Sequence, residues 1–456
     1  MIDFKNKKIL VIGLGKSGVA SAMVLAKKGA IVIACDIKRP DSMREIMEEL
    51  LANKIETLVG TYPDVKKEGY DMLVLSPGVP LTIEPVRVAI RQGIPVIGEI
   101  ELAYLLKKPD LQMFAITGTN GKTTTTALLQ SILKKSGINA IAAGNIGTPL
   151  TLIADSMEKG IISVELSSFQ LETINKFKPS IASILNITPD HLDRHKTMSA
   201  YIKAKSNIFT NQDASDYAIL NFEDKILRKL AEEVKASIIY FSSEQTLKEG
   251  VFIKDNIIMA NINKTLINIC NVDEILLKGK HNLENILCAS AMALAAQVEP
   301  RHIATALKSF TSVRHRMEEI AENNGVIYVN DSKATNPESA LKAIEAFTEP
   351  IILISGGRNK GASFDEFARA LSPKVKALIL LGEAKEEIKS AAIAQNYKNI
   401  YEVNSLDEGV RLAHHLSQVG DVVLLSPACA SWDMFDNYEQ RGDLFRELVF
   451  AICEGK

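Results

Sequence analysis

Between residues 113 and 137 the chain passes from an apolar run, Met113-Phe114-Ala115-Ile116, through Gly118-Thr119-Asn120-Gly121-Lys122-Thr123, into a helical pattern over 124–135 that Gly137 stops. No other segment constrains the fold so tightly. A glycine-rich turn between strand and helix aims several backbone N–H groups and a helix N-terminus at one point, which suits an anion. Lys122 adds a full positive charge there, and the Thr123 hydroxyl can bind Mg²⁺. The segment reads as a cradle for ATP phosphates, with Gly118, Thr119, Asn120, Gly121, Lys122, Thr123 and Thr124 as its contacts. The match is incomplete, since G-x-x-x-x-G-K-[ST] would place Gly at position 116, where Ile stands. A plain turn with a solvated lysine is the competing reading, and the strand–loop–helix context weighs against it.

Strand-like β-branched runs alternate with helical patterns along the chain, which predicts α/β architecture with largely parallel sheets. With 456 residues, about three domains are expected, each able to bury its own core. The first block, 1–100, contains strands near 9–12, 31–34, 72–75 and 95–97. The second, 101–312, holds the phosphate loop, strands near 161–165, 181–187, 217–220 and 237–241, and a long helix over 282–297. The third, 313–456, shows strands near 326–330, 351–355, 377–381 and 422–426. In doubly wound sheets ligands gather beyond the carboxyl ends of the strands, so polar residues just after these runs carry the functional weight.

A net charge of −2 gives no reason to expect a nucleic-acid or acidic-membrane surface. No apolar run approaches the roughly 20 residues of a membrane span, and the N-terminus enters a strand-like segment without a signal pattern. Five scattered cysteines with no C-x-x-C pair argue for reduced thiols and against a zinc ribbon. A cytoplasmic chain is expected.

Gly13-Leu14-Gly15-Lys16-Ser17-Gly18 follows a strand, and Asp36 closes the next one, a pattern that alone suggests NAD with Asp36 on the ribose. Its physical content is narrower: a diphosphate can approach backbone N–H groups there. Gly78, after another strand, allows close approach of a ligand or simply makes a turn. Glu165 ends a strand at the height of the phosphate loop, where a carboxylate can hold Mg²⁺ or pair with a lysine. His191 sits in a Pro-broken polar loop, 186–195, as a metal ligand, a proton carrier or a hydrogen-bonding residue. Lys203 and Lys205 share one helix, and composition singles out neither. Asn282 opens the long helix as an N-cap candidate.

Five motifs besides the phosphate loop carry a resemblance: Glu-Leu-Ser-Ser-Phe-Gln-Leu-Glu at 165–172, Asp-His-Leu-Asp-Arg-His at 190–195, His-Asn-Leu-Glu-Asn at 281–285, Asn-Asp-Ser-Lys-Ala-Thr-Asn at 330–336, and Ser-Pro-Ala-Cys-Ala-Ser-Trp-Asp at 426–433 with Glu-Gln-Arg-Gly at 439–442. In this order and over nearly the whole chain they resemble the ATP-dependent amide-forming Mur ligases of peptidoglycan synthesis, to which folylpolyglutamate synthetases are related. Phe169-Gln170 and the 426–431 segment are similar to the D-glutamate-adding branch, and no Asp-Asn-Pro-Arg motif of the diaminopimelate-adding branch is present.

The resemblance implies a Rossmann-like first domain for uridine diphosphate, a central ATPase domain with a mostly parallel sheet, and a Rossmann-like C-terminal domain that binds the amino acid. It implies as substrates UDP-N-acetylmuramoyl-L-alanine, D-glutamate and ATP, with two Mg²⁺ ions; a monomer is expected. Ser17, Lys38, Gly78, Asn145 and His191 match contacts to the UDP-sugar. The family often has a Thr–Arg pair where Ile37-Lys38 stands, so uracil recognition differs there. Lys122, Thr123 and Glu165 match phosphate and first-metal positions, His191 and Lys205 second-metal positions, with Lys205 at the family's carbamylated lysine. Lys122, His191 and Lys205 are thus the expected catalytic residues. Asn282, Arg316, Asp331 and Lys333 match nucleotide contacts. Thr335, Lys360, Ser431 and Tyr438 match positions facing D-glutamate, although Phe is usual in place of Tyr438. Two rival readings, an NAD-dependent dehydrogenase and a nucleotide-gated binding module without catalysis, leave the 426–442 segment or the set Lys122, Glu165, His191 and Lys205 without purpose.

Overall fold

The computed structural model describes residues 3–277, 279–311, 314–372 and 374–454. Among the described residues the strands form three sheets, of five, nine and six strands. In the first are β1 (Lys8–Ile12), β2 (Ile31–Asp36), β3 (Glu56–Val59), β4 (Met72–Leu75) and β5 (Val96–Gly98), all parallel in the order β3-β2-β1-β4-β5. The second contains β6 (Leu111–Thr117), β7 (Ala140–Gly144), β8 (Gly160–Glu165), β9 (Ile181–Ile184), β10 (Tyr217–Asn221), β11 (Ser237–Ser242), β12 (Gly250–Lys254), β13 (Ile257–Ile262) and β14 (Thr265–Asn271). Their order is β14-β13-β12-β11-β10-β9-β6-β8-β7, parallel except for the antiparallel β12-β13-β14 edge. The third has β15 (Glu318–Asn323), β16 (Val326–Asn330), β17 (Ile351–Gly356), β18 (Val375–Leu381), β19 (Ile400–Glu402) and β20 (Val422–Leu425) in the order β15-β16-β20-β17-β18-β19, with only the β15–β16 pair antiparallel.

Continuous apolar runs become central strands because both faces of these sheets are covered. Along β1, Ile9 and Val11 join one buried cluster and Leu10 and Ile12 another. Along β17, Ile351 and Leu353 face one core while Ile352 and Ile354 face the second. Period-two alternation is thus hidden in the sequence, since both faces want apolar residues.

By compactness the chain divides into two units: Met1–Thr188 with Thr197–Ile275 and Glu284–Ser309, and Pro189–Lys196 with Leu276–Leu283 and Phe310–Lys456. The expected boundary between Ser312 and Val313 lies outside the described residues. The strands foreseen near 181–187 and 422–426 end at Ile184 and Leu425, and their polar remainders form loops. Sequence reading missed β3, β7, β15, β19 and the β12-β13-β14 meander. The meander turns through Asp255-Asn256 and Asn263-Lys264, all four with positive φ, as two-residue hairpin turns of the primed type demand. No helix among the described residues is long and apolar enough to cross a membrane. The five cysteines are free thiols; four are buried and Cys453 is exposed.

Candidate active site

The phosphate loop leaves the C-terminal end of β6 and enters the helix Lys122–Lys135. That helix closes as foreseen, with Gly137 at φ +85° and the Ile138 N–H reaching back to the Leu133 carbonyl at 3.0 Å. Two glycines are obligatory in the loop. Gly118 has φ +153°, and an added Cβ would stand 3.0 Å from Leu185 Cβ. Gly121 has φ +84°, and its Cβ would fall 2.1 Å from Asn285 Oδ1. Asn285 is held there by the Thr125 hydroxyl at 3.2 Å.

The loop is pinned from the loop that follows the neighbouring strand β9. Thr119 N–H donates to the Asn186 carbonyl at 3.0 Å, and Asn120 N–H to Asn186 Oδ1 at 2.9 Å. Thr119 Oγ1 donates to the Thr188 carbonyl at 3.1 Å and lies 3.2 Å from the Tyr201 hydroxyl. Lys122 folds its ammonium onto its own loop, 2.9 Å from the Gly118 carbonyl and 2.7 Å from that of Thr119. A cation is therefore stationed within the turn, beside the helix N-terminus that favours negative charge.

Glu165 ends β8 opposite Ile116, two residues before Gly118, and is 1% exposed. Asn145 donates from its side chain to Glu165 Oε1 at 2.8 Å. Glu165 Oε2 is buried without a hydrogen-bond partner among the described residues. Leaving an acceptor so placed costs about 1–3 kcal/mol, and more for a charge, unless a cation meets it. Lys205, not Lys203, is the lysine that the helix Met198–Ser206 turns inward: Lys203 is exposed, whereas Lys205 is 2% exposed. Its ammonium donates to the Gly118 carbonyl at 2.7 Å and lies 4.7 Å from the centre of the Tyr201 ring. Helical spacing explains the pair, since 201 and 205 share a face and 203 lies opposite.

At the carboxyl end of the first sheet, Gly13 has φ +90°, and a Cβ on Gly18 would lie 1.8 Å from the Gly13 carbonyl oxygen. Asp36 spends its two oxygens on backbone, accepting from Leu14 N–H at 2.8 Å and Lys38 N–H at 3.0 Å. The residue that suggested a ribose contact thus holds the glycine turn instead. Ser17 is half-buried in the first turn of the helix Lys16–Lys27; Lys38 and Gly78 are exposed. Gly78 has no positive φ, and a Cβ there would meet nothing within 4 Å. Nothing in the fold itself demands glycine at 78.

In the second unit, Asp331 follows β16 and is 1% exposed. It accepts from Met317 N–H at 3.2 Å and from the Ser426 hydroxyl at 2.9 Å, with an Arg316 nitrogen 3.9 Å away. Burial pushes its carboxyl up to about 6, against the pull of Arg316. The Lys333 ammonium donates to the Tyr438 hydroxyl at 3.0 Å. Ser431 is buried; Thr335 and Lys360 are half-buried. His191 adopts a left-handed backbone, φ +53°, with its N–H on Asp190 Oδ1 at 2.9 Å and Nε2 3.6 Å from Asp190 Oδ2. Non-glycine residues held this way concentrate at functional loops. Asn282 is buried inside the first turn of the helix Lys280–Ala295 and so is no N-cap.

Sequence reading overlooked Arg441, whose guanidinium is 2% exposed. It donates to the Ser332 hydroxyl at 3.0 Å, the Ser332 carbonyl at 2.9 Å, the Cys429 carbonyl at 3.2 Å and the Gly356 carbonyl at 3.4 Å. Its burial lowers its pKa to about 10. The motif Glu-Gln-Arg-Gly was visible, but its partners lie at or beyond the ends of three separate strands.

Three sheets, with a pinned phosphate loop and a buried glutamate on the adjacent strand, define a phosphate-loop α/β protein. The family description narrows this. Residues 7–98 match the Mur ligase MurD-like N-terminal domain, 116–293 the Mur ligase middle domain and 315–429 the Mur ligase glutamate ligase domain. A UDP-N-acetylmuramoylalanine--D-glutamate ligase of Pelotomaculum thermopropionicum is 48% identical over 456 residues, 99% of each chain. The ligase of the same name from Alkaliphilus metalliredigens is 44% identical over 99% of each chain, and that of Clostridioides difficile 43% identical over 98% of this chain and 99% of its own. The chain belongs to the Mur ligase family. Among solved structures, the UDP-N-acetylmuramate-alanine ligase MurC of Thermotoga maritima superposes with a TM-score of 0.61 at 19% identity over 98% of this chain and 99% of that one. The MurF ligase of the same organism, in complex with ADP, gives 0.62 at 18% identity over the full length of both. These two likenesses bear on the fold.

Proposed function

We propose that this chain joins D-glutamate to UDP-N-acetylmuramoyl-L-alanine, with ATP converted to ADP and phosphate, in the building of peptidoglycan precursors. Residues 1–100 bind the uridine nucleotide, 101–312 bind ATP, and 313–456 bind the amino acid, in a single chain working in the cytoplasm. The observation that carries this reading is the buried Glu165 oxygen without a partner, close in register to a loop whose carbonyls both Lys122 and Lys205 meet.

A carboxylate is a poor electrophile, because its charge repels an amine and oxide cannot leave. Phosphoryl transfer from ATP makes the L-alanyl carboxylate an acyl phosphate; the D-glutamate amine adds to it, and phosphate departs from the tetrahedral intermediate. The first step brings two anions together, and their repulsion grows in a dry cleft. Lys122 and those loop N–H groups that Asn186 does not take, as it takes the ones of Thr119 and Asn120, bind and orient the phosphates within the segment Gly118 to Thr124. Asn282, Arg316, Asp331 and Lys333 are the remaining nucleotide contacts. Ser17, Lys38, Gly78 and Asn145 bind the uridine substrate, and an open glycine at 78 suits close approach.

Among the described residues no cluster of three or more His, Cys, Asp or Glu side chains forms a ready-made metal cage. Mg²⁺ does not need one, since it keeps waters and uses few carboxylates together with substrate phosphates. Thr123 and Glu165 fit that habit and would hold one ion; for a second, the family resemblance assigns His191 and a carbamylated Lys205. When bound, Mg²⁺ supplies positive charge to the phosphate oxygens. Holding that ion and taking the proton of the attacking amine are competing roles for His191, a residue of the catalytic set with Lys122 and Lys205.

Two measurements test the reading. Purified chain offered ATP, UDP-N-acetylmuramoyl-L-alanine and a panel of amino acids is expected to release ADP with D-glutamate far faster than with any other; no ADP release with D-glutamate sinks the proposal. Thr335, Lys360, Ser431 and Tyr438 are assigned to D-glutamate, so Lys360→Ala should raise KM for D-glutamate about tenfold while KM for ATP stays within twofold. Equal shifts in both constants would remove Lys360 from the amino-acid site.

A further inference from the structure

The segment Gly98-Glu99-Ile100-Glu101 joins β5 to the helix Glu99–Leu106, and both of its carboxylates are buried, each 1% exposed. Glu101 has an evident structural task, taking the backbone N–H groups of Asn175, Lys176 and Phe177 at 2.8–2.9 Å. Glu99 does something different. One of its oxygens accepts both the Thr151 N–H at 2.7 Å and the Thr151 hydroxyl at 3.1 Å. The other oxygen is buried without a partner among the described residues. Thr151 is fully buried at the start of the helix Leu150–Ser156, whose N-cap is Pro149, a residue with no side chain able to accept those N–H groups. Glu99 therefore caps this helix from another element.

The loop 145–149 is thereby tied at both ends. Its far end is Thr151 on Glu99. Its near end is Asn145, whose N–H donates to the Glu165 carbonyl at 2.9 Å and whose side chain donates to Glu165 Oε1 at 2.8 Å. Gly144, φ +104°, ends β7 just before the loop, and Gly147, φ +64°, turns within it. Gly144 also lies so close to β8 that a Cβ would stand 2.4 Å from the Glu165 carbonyl oxygen. Gly147 and Pro149 have no side chain that can hydrogen-bond, so these two anchors set much of the loop's shape.

We propose that Glu99 is a positioning residue for the reaction: by holding Thr151 it sets the loop that presents Asn145 to the uridine substrate and keeps Glu165 oriented at the metal position. This rests on the functional reading above. Glu99 itself touches no reacting group.

The test compares Glu99→Ala, Glu99→Gln and Thr151→Val in the full-length chain, reading steady-state constants for each substrate and Mg²⁺ alongside calorimetric binding of UDP-N-acetylmuramoyl-L-alanine. Glu99→Ala should weaken binding of that nucleotide and raise its KM and the half-saturating Mg²⁺ about tenfold, with KM for D-glutamate within twofold. Glu99→Gln keeps an acceptor for Thr151 and should recover to within threefold of the parent. Thr151→Val removes one of the two bonds and should give the same split at about threefold, which covers the case of an alanine variant that does not fold. Damage by Gln equal to that by Ala, a parallel rise in KM for D-glutamate, or unchanged nucleotide and Mg²⁺ constants in Thr151→Val would each overturn the inference. A parent chain that neither binds nor turns over the nucleotide faults the functional reading instead.

Discussion

Lys122→Ala is expected to slow acyl-phosphate formation about 1,000-fold, a loss of about 4 kcal/mol of transition-state stabilisation. The size follows from the setting. Removing one neutral donor from a preorganised anion site costs about 100- to 1,000-fold, and here the group removed is a full charge. Because the Lys122 ammonium also ties the carbonyls of Gly118 and Thr119, its loss loosens the turn as well. The measurement is rapid-quench detection of ADP with all substrates present. Near-normal ADP formation would refute the assignment, whereas a defect confined to KM for ATP would reduce Lys122 to a binding group.

Lys205→Ala is expected to lose activity about 100-fold or more, and short carboxylic acids such as acetate should restore part of it. The reasoning is chemical. A buried lysine that ends 2.7 Å from the Gly118 carbonyl stands against the very loop proposed to bind phosphate, where a further bare cation would be one of several. As a carbamate the same side chain presents two anionic oxygens to a cation, and a carboxylate entering the space left by truncation offers the same pair. Thermal denaturation of the variant guards against misfolding, since Lys205 also covers the Tyr201 ring. An unrescued but folded variant would leave Lys205 as an ammonium that props the loop, and the carbamate would be abandoned.

What could be read from the chain was whatever is contiguous in it. The phosphate loop has its glycines, lysine and threonine side by side, flanked by strand and helix, and each lies where expected. Glu165 was legible because it ends an apolar run, and strand ends collect functional groups. Tertiary partners were not legible. Asn285 forces glycine at 121 from more than 160 positions away, and Asn186 pins Thr119 and Asn120 from the loop after β9. Lys203 and Lys205 were indistinguishable until the helix was seen to place one under the loop and the other in solvent. Asp36 misled for a related reason: a carboxylate at the end of the second strand suits a ribose, yet a glycine turn has orphan N–H groups of its own, and these took it. The β12-β13-β14 meander escaped because its signal lies in the left-handed pairs Asp255-Asn256 and Asn263-Lys264, while the surrounding chain had set the expectation of helical crossovers.

Arg441 has one further consequence. A single guanidinium, drawing on a fixed fork of donors, fastens the segments that carry Lys333, Lys360 and Ser431 to a common centre. Those three segments are mechanically one part. If these segments select the amino acid as proposed, retooling one of them alone would drag the other two off their marks, so a change of substrate calls for concerted replacement around an untouched arginine.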